Sequence, residues 1–242
     1  YKQGGNAFDA SVAAAFTLSV VEPSMSGLGG RIQAIYKTSE GEIAGIDGST
    51  EVPANYEDKN GKFKYGYPTI GIPGVVAGLL ALHDKKGNLP LSNVIEPAIK
   101  YAKEGFEILP GEATRQQSVK DLLYEFEGTR HHFMINDSLS YKAGDLFIQS
   151  DLAKVLETIA EKGRAGFYEG EIAKVMASFV REEGGFLSAN DLSSFHAEWV
   201  EPVSTNYRGY DVWELPPNGQ GIAALQILNL LENYDLKKMG LF

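Results

Sequence analysis

Apolar positions first recur at helical spacing near the start of the chain, at Phe8, Val12, Ala15, Phe16 and Val20. Asn6 stands before them as a capping candidate. Asp9 falls in the first turn, where the positive end of the helix dipole favours a carboxylate. Pro23 ends the element, and the alanines at 10, 13, 14 and 15 predict a slim helix that packs closely on a sheet with Phe16 buried. The pattern then switches to strand character at Ile32–Tyr36 and Glu42–Asp47, around a turn at Ser39-Glu40-Gly41. Between helix and strands, Ser26-Gly27-Leu28-Gly29-Gly30 predicts a turn where glycine permits close backbone approach.

Residues 48–69 are polar and loop-like. Gly71-Ile72-Pro73-Gly74 opens a helix reaching about His83, with Ala77 and Gly78 leaving room for a tight neighbour, and Gly87-Asn88 breaks it. Another helix is expected from near Ser92 to Lys103, with Pro97 as a source of distortion. Ser150 is the expected cap of a helix whose apolar face is Leu152, Val155, Leu156 and Ile159, closed by Gly163. Ile172, Val175, Met176, Phe179 and Val180 form the next stripe, closed by Gly184. Ser188 with Asp191 reads as a capping box. Strands are expected at Trp199–Ser204 and Tyr210–Leu215. The sharp loop Pro216-Pro217-Asn218-Gly219-Gln220-Gly221 then delivers a last helix from Ile222 to about Asn233. No repeat or linker interrupts this alternation, so the expected class is α/β (α+β) in a single domain over 1–242.

A hydrophobic fraction of 43% with 22% charged residues is ordinary for a globular chain, so composition leaves that class unchanged. A net charge of −10 with no basic block argues against nucleic acid or an anionic membrane surface as partner. The absence of cysteine excludes disulfides, thiol catalysis and cysteine metal sites. No run approaches the roughly 18 apolar residues of a membrane-spanning helix. The richest stretch, Ala10 to Val21, is broken by Ser11, Thr17 and Ser19. The chain opens on Tyr1 and not methionine, so its true start is expected upstream. The compartment, cytoplasmic or periplasmic/secreted, stays open.

Few residues advertise chemistry. His83, His131, His132 and His196 lack metal-ligand spacing and are expected to be structural or exposed, the adjacent pair pointing to opposite sides of a regular element. Gly27-Leu28-Gly29-Gly30 lacks a following Lys-Ser/Thr and precedes a strand, which counts against a phosphate or dinucleotide loop. Thr129-Arg130-His131 reads as a surface loop. Asp47 and Glu51 lie near one another, either as an acid–base pair or, more commonly, as a solvated loop. No cofactor or metal is expected.

The run Gly4-Gly5-Asn6-Ala7-Phe8-Asp9-Ala10-Ser11-Val12-Ala13-Ala14-Ala15 resembles the opening signature of gamma-glutamyltranspeptidases. Val21-Glu22-Pro23, Ser26–Gly30, Ile46-Asp47 and Gly71–Gly78 follow in order. So do Pro97-Ala98-Ile99, Ala102–Phe106, Phe167–Gly170, Tyr207–Tyr210 and Pro216–Gly221 leading into Leu225–Asn229. The resemblance covers essentially the whole chain. It implies an N-terminal nucleophile hydrolase, an αββα sandwich, of which this chain would be the large-subunit portion. In such enzymes a precursor cuts itself and the freed N-terminal threonine of the small subunit becomes the nucleophile.

That resemblance implies self-processing amide hydrolysis or transfer on gamma-glutamyl compounds, glutathione included, or on related acyl amides. A noncatalytic binding or structural role is the alternative. The implied partners are the small-molecule substrate and a small subunit from the same precursor. The family's threonine is expected beyond Phe242, so 1–242 would be an incomplete large-subunit region, inactive alone, with no catalytic residue of its own. The family's typical Arg, two residues after the aspartate matching Asp47, holds the substrate α-carboxylate. Here that position is Ser49, uncharged and too short to replace it. Arg31 stands where the family commonly has glycine, and two roles stay open for it: a carboxylate contact from another direction, or an exposed structural arginine, which is the commoner use. The expected substrate-binding residues are therefore Ser49, Asp47 and Arg31. Loss of the family arginine points toward the acylase-like branch.

Overall fold

The computed structural model describes residues 1–57 and 63–240; the part of the expected loop at 58–62 and the last two residues lie outside the described residues. Helix α1 (Ala7–Val21) leads into the hairpin β1 (Ile32–Lys37) and β2 (Ile43–Gly48), then α2 (Val75–Lys86) and α3 (Leu91–Glu104). Short elements follow: β3 (Phe106–Glu107), α4 (Pro110–Ser118), α5 (Lys120–Glu125), α6 (Glu127–Phe133), β4 (Met134–Ile135), β5 (Leu139–Ser140) and β6 (Leu146–Phe147). The helices α7 (Ser150–Lys162), α8 (Ala165–Tyr168), α9 (Gly170–Glu182) and α10 (Ala189–Ser194) come next. The described chain closes with β7 (Glu198–Val200), β8 (Val203–Tyr207), β9 (Tyr210–Glu214), α11 (Gly221–Leu231) and α12 (Leu236–Met239).

The start of α1 is fixed by a reciprocal cap. Asn6 Oδ1 accepts from the Phe8 and Asp9 amides, and Asp9 returns the bond to the Asn6 amide at 2.8 Å. The buried Asp9 carboxylate also accepts from the Asn88 and Leu89 amides, so it ties α1 to the turn between α2 and α3. Val12, Phe16 and Val20 face inward with no exposure. They pack mainly against α2 and α3, not against the sheet as expected. The reason is that α2 already occupies the sheet's helical face, its Gly78 lying against Ile32. Behind α1 and α3 the same apolar cluster continues through Leu156 and Ile159 of α7 to Tyr168, Val180 and Leu192.

Strands β1, β2 and β7 form an antiparallel sheet in that order, and β8 pairs with β9 beneath α11. The single strand expected at Trp199–Ser204 is thus two strands in two sheets. Pro202 stands between them and has no N–H to continue a ladder. Ser150 is the first residue of α7 and not its cap; the cap position is Gln149, whose amide donates to the Val20 carbonyl at 2.8 Å. On α9 the buried line is Ala173, Ala177 and Val180, while Val175 and Phe179 are 57% and 44% exposed. The small alanines are the face that approaches α8 and α10. Helix α3 runs on through Pro97, and Ser188 and Asp191 form the expected capping box.

Burial alone would raise the Asp9 pKa, but the Asn6, Leu89 and Asn88 amides and the nearby His83 outweigh it and hold the carboxyl below the ordinary aspartate value. A depressed folded pKa contributes stability that is full above the unfolded value and is lost as pH falls through the folded one. Asp9→Asn should therefore cost about 1.5–3 kcal/mol at neutral pH, the range for hydrogen bonds to a charged group. Urea titrations across the acid limb should show the wild-type advantage shrinking as pH drops below the aspartate range; an advantage independent of pH would refute this assignment.

Candidate functional site

The register of β1 against β2 decides which side chains meet. Ile32 pairs with Gly48 and Gln33 with Asp47, so Arg31 and Ser49 are the next residues past the end of the ladder, on adjacent strand ends. Cross-strand partners share a face and successive residues alternate. Ile32, Ala34, Tyr36 and the fully buried Ile46 take the helical face, with Tyr36 edge-on to Phe8 of α1. Arg31, Gln33, Asp47 and Ser49 therefore share the opposite, outer face. The three expected substrate-binding residues come together there at one corner of the sheet.

The corner is held by backbone contacts that only glycine permits. A Cβ added at Gly74 would overlap the Gly48 carbonyl oxygen, and one at Gly48 would lie 2.8 Å from the Gly74 oxygen. The Gly30 carbonyl accepts from the Gly74 and Val75 amides at 2.8 and 3.2 Å, so the residue before Arg31 is fastened to the start of α2. On the other side, the Tyr168 hydroxyl donates to the Pro73 carbonyl at 2.7 Å and accepts from the Ala77 amide at 3.1 Å. Burial pushes that hydroxyl well above the ordinary tyrosine range, so it stays protonated and able to donate. Turn glycines Gly27 and Gly29, by contrast, would meet nothing within 4 Å if given a side chain; the close approach expected there belongs to Gly48, Gly74 and Gly78.

Asp47 Oδ1 accepts from the Ser49 amide at 2.8 Å, which fixes the strand end and leaves the serine hydroxyl free of that task. Both residues are half-buried, whereas Arg31 is exposed and, among the described residues, has no ion-pair partner. Two residues missed in the sequence join this face. Gln33 reaches Asn218 of the Pro216–Gly221 loop at 3.4 Å, and Glu198 of β7 pairs with Asp47. The polar, exposed position of Gln33 in an otherwise apolar strand is the signal that marks it; nothing local marks Glu198.

Other candidates sit apart from this corner. Thr129 lies within helix α6, not in a loop, because its hydroxyl donates to the Leu123 and Phe126 carbonyls and caps the turn. His131 and His132 do not diverge: their rings are 5.1 Å apart, edge to face, and line a cleft of about 560 Å³ with Ser26, Tyr141 and Asp151. Arg31, Asp47 and Ser49 do not line that cleft. His83 is buried and bonds the Leu89 carbonyl through Nε2; His196 is exposed. Glu51 is exposed and engages Ile72 through its backbone. Among the described residues no group of three or more His, Cys, Asp or Glu side chains gathers as a metal would need.

Comparison with known proteins bears on what this arrangement serves. The family model described as gamma-glutamyltranspeptidase matches residues 1–241. The chain is 36% identical to the glutathione hydrolase proenzyme of Escherichia coli (strain K12), over 99% of its own length and 43% of the relative's. The chain thus spans less than half the length of that curated relative. In structure it is similar to the gamma-glutamyltranspeptidase of Helicobacter pylori, with a TM-score of 0.94 and 35% identity over 99% of this chain and 72% of that one. It is also similar to a cephalosporin acylase from Bacillus halodurans, with a TM-score of 0.90 and 33% identity over 96% of this chain and 46% of that one.

The glycine contacts generate a paired prediction. Gly74→Ala should destabilise by about 1–3 kcal/mol or more, the cost of overpacking against unyielding backbone, while Gly27→Ala should stay within about 0.5 kcal/mol of wild type. Chemical denaturation of both variants checks this; equal effects would mean that the corner is looser than described.

Proposed function

The chain belongs to the gamma-glutamyltranspeptidase family and has the N-terminal nucleophile hydrolase fold of its large subunit, and from this we propose that the protein is a self-processing amide hydrolase or transferase. The nucleophilic threonine would come from the part of the protein outside these 242 residues, with its own α-amino group as base. The threonine oxygen attacks the substrate's amide carbonyl and the amine leaves. Water or an acceptor amine then resolves the acyl-enzyme. This chain contributes a substrate-facing corner formed by Arg31, Asp47 and Ser49. The observation that carries the reading is the meeting of these three residues on one sheet face in a chain that matches the family from residue 1 to 241. No observation favours a noncatalytic role.

Substrate choice follows from charge. An arginine at position 49 would pair with a carboxylate by two parallel N–H···O bonds; serine offers one neutral hydroxyl. Arg31, one ladder step across the strand pair and free of ion pairs among the described residues, is the cation left to meet an anionic substrate group. We assign it that role, weaker and more solvated than a buried pair because the side chain is exposed. Acyl amides without an α-carboxylate thereby become competitive substrates, a preference in keeping with the likeness to the acylase. The outer sheet face and helix α11, with Ile227 and Leu230 55% and 66% exposed, are the surfaces a small subunit from the same precursor would cover.

Two experiments test this. The full-length precursor should cut itself into two chains and then hydrolyse a gamma-glutamyl anilide or an acyl anilide; a precursor that stays whole and releases nothing would sink the proposal. In the processed enzyme, Ser49→Arg should raise kcat/KM for a substrate bearing the α-carboxylate by about tenfold, since a charge-assisted bond contributes roughly 1.5–3 kcal/mol. It should leave the matched substrate without the carboxylate unchanged or slower. Arg31→Ala should lower only the first of these activities. Equal effects on both substrates would remove Arg31 and Ser49 from carboxylate recognition.

A further inference from the structure

On the side of the molecule formed by α5, α6 and α9, a second cavity of about 610 Å³ is walled by aromatic rings that no step above uses. Tyr67, in the short turn Tyr67–Thr69, lines it between two phenylalanines. The Phe126 ring lies 5.6 Å from it at 88°, and the Phe179 ring 5.4 Å from it at 85°. Two rings perpendicular to a third make adjoining walls of a box. The box is built into the backbone: Gly66 has φ +90°, and an added side chain there would press on the Phe126 ring at 3.2 Å. Phe179 is the residue that left the apolar stripe of α9 and points outward, where it has no role in the core.

The rim of the cavity is acidic. Glu125, Glu127 and Glu183 line it alongside the rings, and the Glu183 and Glu127 charges, after burial, hold the Tyr67 hydroxyl above its ordinary value. Arg130 and the two histidines His131 and His132 also line it. Arg130 is already engaged, since its guanidinium donates to the Tyr124 carbonyl at 3.0 Å and stacks on the Tyr124 ring. Three carboxylates thus face one guanidinium at this rim.

We infer that the Tyr67–Phe126–Phe179 box is a binding site for a small organic cation, a quaternary or bulky protonated ammonium group. Ring faces carry negative quadrupole potential that attracts such a cation, the contact strengthens as the cation is desolvated, and the carboxylates at the rim supply the long-range attraction. An apolar neutral guest would gain from the rings but not from the three carboxylates. This charge complementarity selects the cation as occupant. The site is separate from the Arg31–Asp47–Ser49 corner, so it stands or fails independently of the proposed reaction.

The test uses the full-length protein and a matched pair of probes, choline and its neutral isostere 3,3-dimethylbutan-1-ol, in calorimetric or NMR titrations. Choline should bind saturably, and the neutral isostere at least tenfold more weakly. Phe179→Leu and Tyr67→Leu should each weaken choline binding by about tenfold, which corresponds to 1.4 kcal/mol. The double change Glu127→Gln with Glu183→Gln should weaken it and reduce its salt dependence. Thermal unfolding of each variant controls for folding, and because Phe179 lies outside the apolar core its replacement should shift the midpoint by only a few degrees. Equal binding of the two probes would make the cavity a plain apolar pocket and overturn the inference, as would absence of choline binding or retention of full affinity in Phe179→Leu.

Discussion

The approach of two backbones at Gly48 and Gly74 is the constraint on which the rest of this structure depends. A helix normally keeps its distance from a sheet because side chains intervene. Here the carbonyls of the two glycines lie where side chains would stand, and Gly78 rests on Ile32 one turn later. The start of α2 is thereby pressed onto the end of the β1–β2 hairpin. Gly30 and Tyr168 complete the fastening from either side, satisfying amides at the helix start that would otherwise be orphaned. With α2 seated on the sheet, α1 packs mainly on α2 and α3 and reaches the sheet only through contacts such as Phe8 with Tyr36. Asp9 then links the beginning of α1 to the end of α2 through three backbone amides, those of Asn6, Asn88 and Leu89.

The same constraint makes a functional corner possible. With the helical face of the sheet filled by apolar contacts, the alternation of a strand leaves Arg31, Gln33, Asp47 and Ser49 together on the other face. Arg31 and Ser49 are anchored through backbone and not through their functional atoms: Arg31 by the bonds at Gly30, Ser49 by its amide to the Asp47 carboxylate. The guanidinium and the hydroxyl are left free for a ligand. On the proposed reading, exchanging a guanidinium for a hydroxyl at position 49 would change recognition without disturbing the fold. That exchange would let one scaffold accept uncharged acyl amides as well as gamma-glutamyl compounds.

The sequence carried much of this in readable form, and where it failed the reasons are physical. Helical spacing at Val12, Phe16 and Val20, the cap at Asn6 and the capping box Ser188–Asp191 are local features that the sequence shows, whereas the return bond from Asp9 to the Asn6 amide appears only in the structure. The Trp199–Ser204 strand was misread because a one-dimensional apolar run does not reveal that Pro202 hands the chain from one sheet to another. On α9 the alanines were passed over in favour of larger residues, although close packing against α8 and α10 selects small ones and turns Val175 and Phe179 outward. Family resemblance marked Ser49, Asp47 and Arg31, but only the ladder register brought Arg31 beside Ser49. Gln33 and Glu198 depend on pairings 14 and 151 residues apart in the chain, which no spacing rule reads.

On the proposed reading, the substrate's acyl portion rests on the outer face of the β1–β2 corner. The most direct measurement is a crystal structure of the full-length processed protein with a gamma-glutamyl-type inhibitor bound. The account predicts the ligand against the outer face, with its carboxylate within hydrogen-bond distance of the Arg31 guanidinium or the Ser49 hydroxyl and α2 still seated at Gly74. A ligand lodged in the cleft beside His131 and His132, with Arg31 and Ser49 untouched, would contradict it.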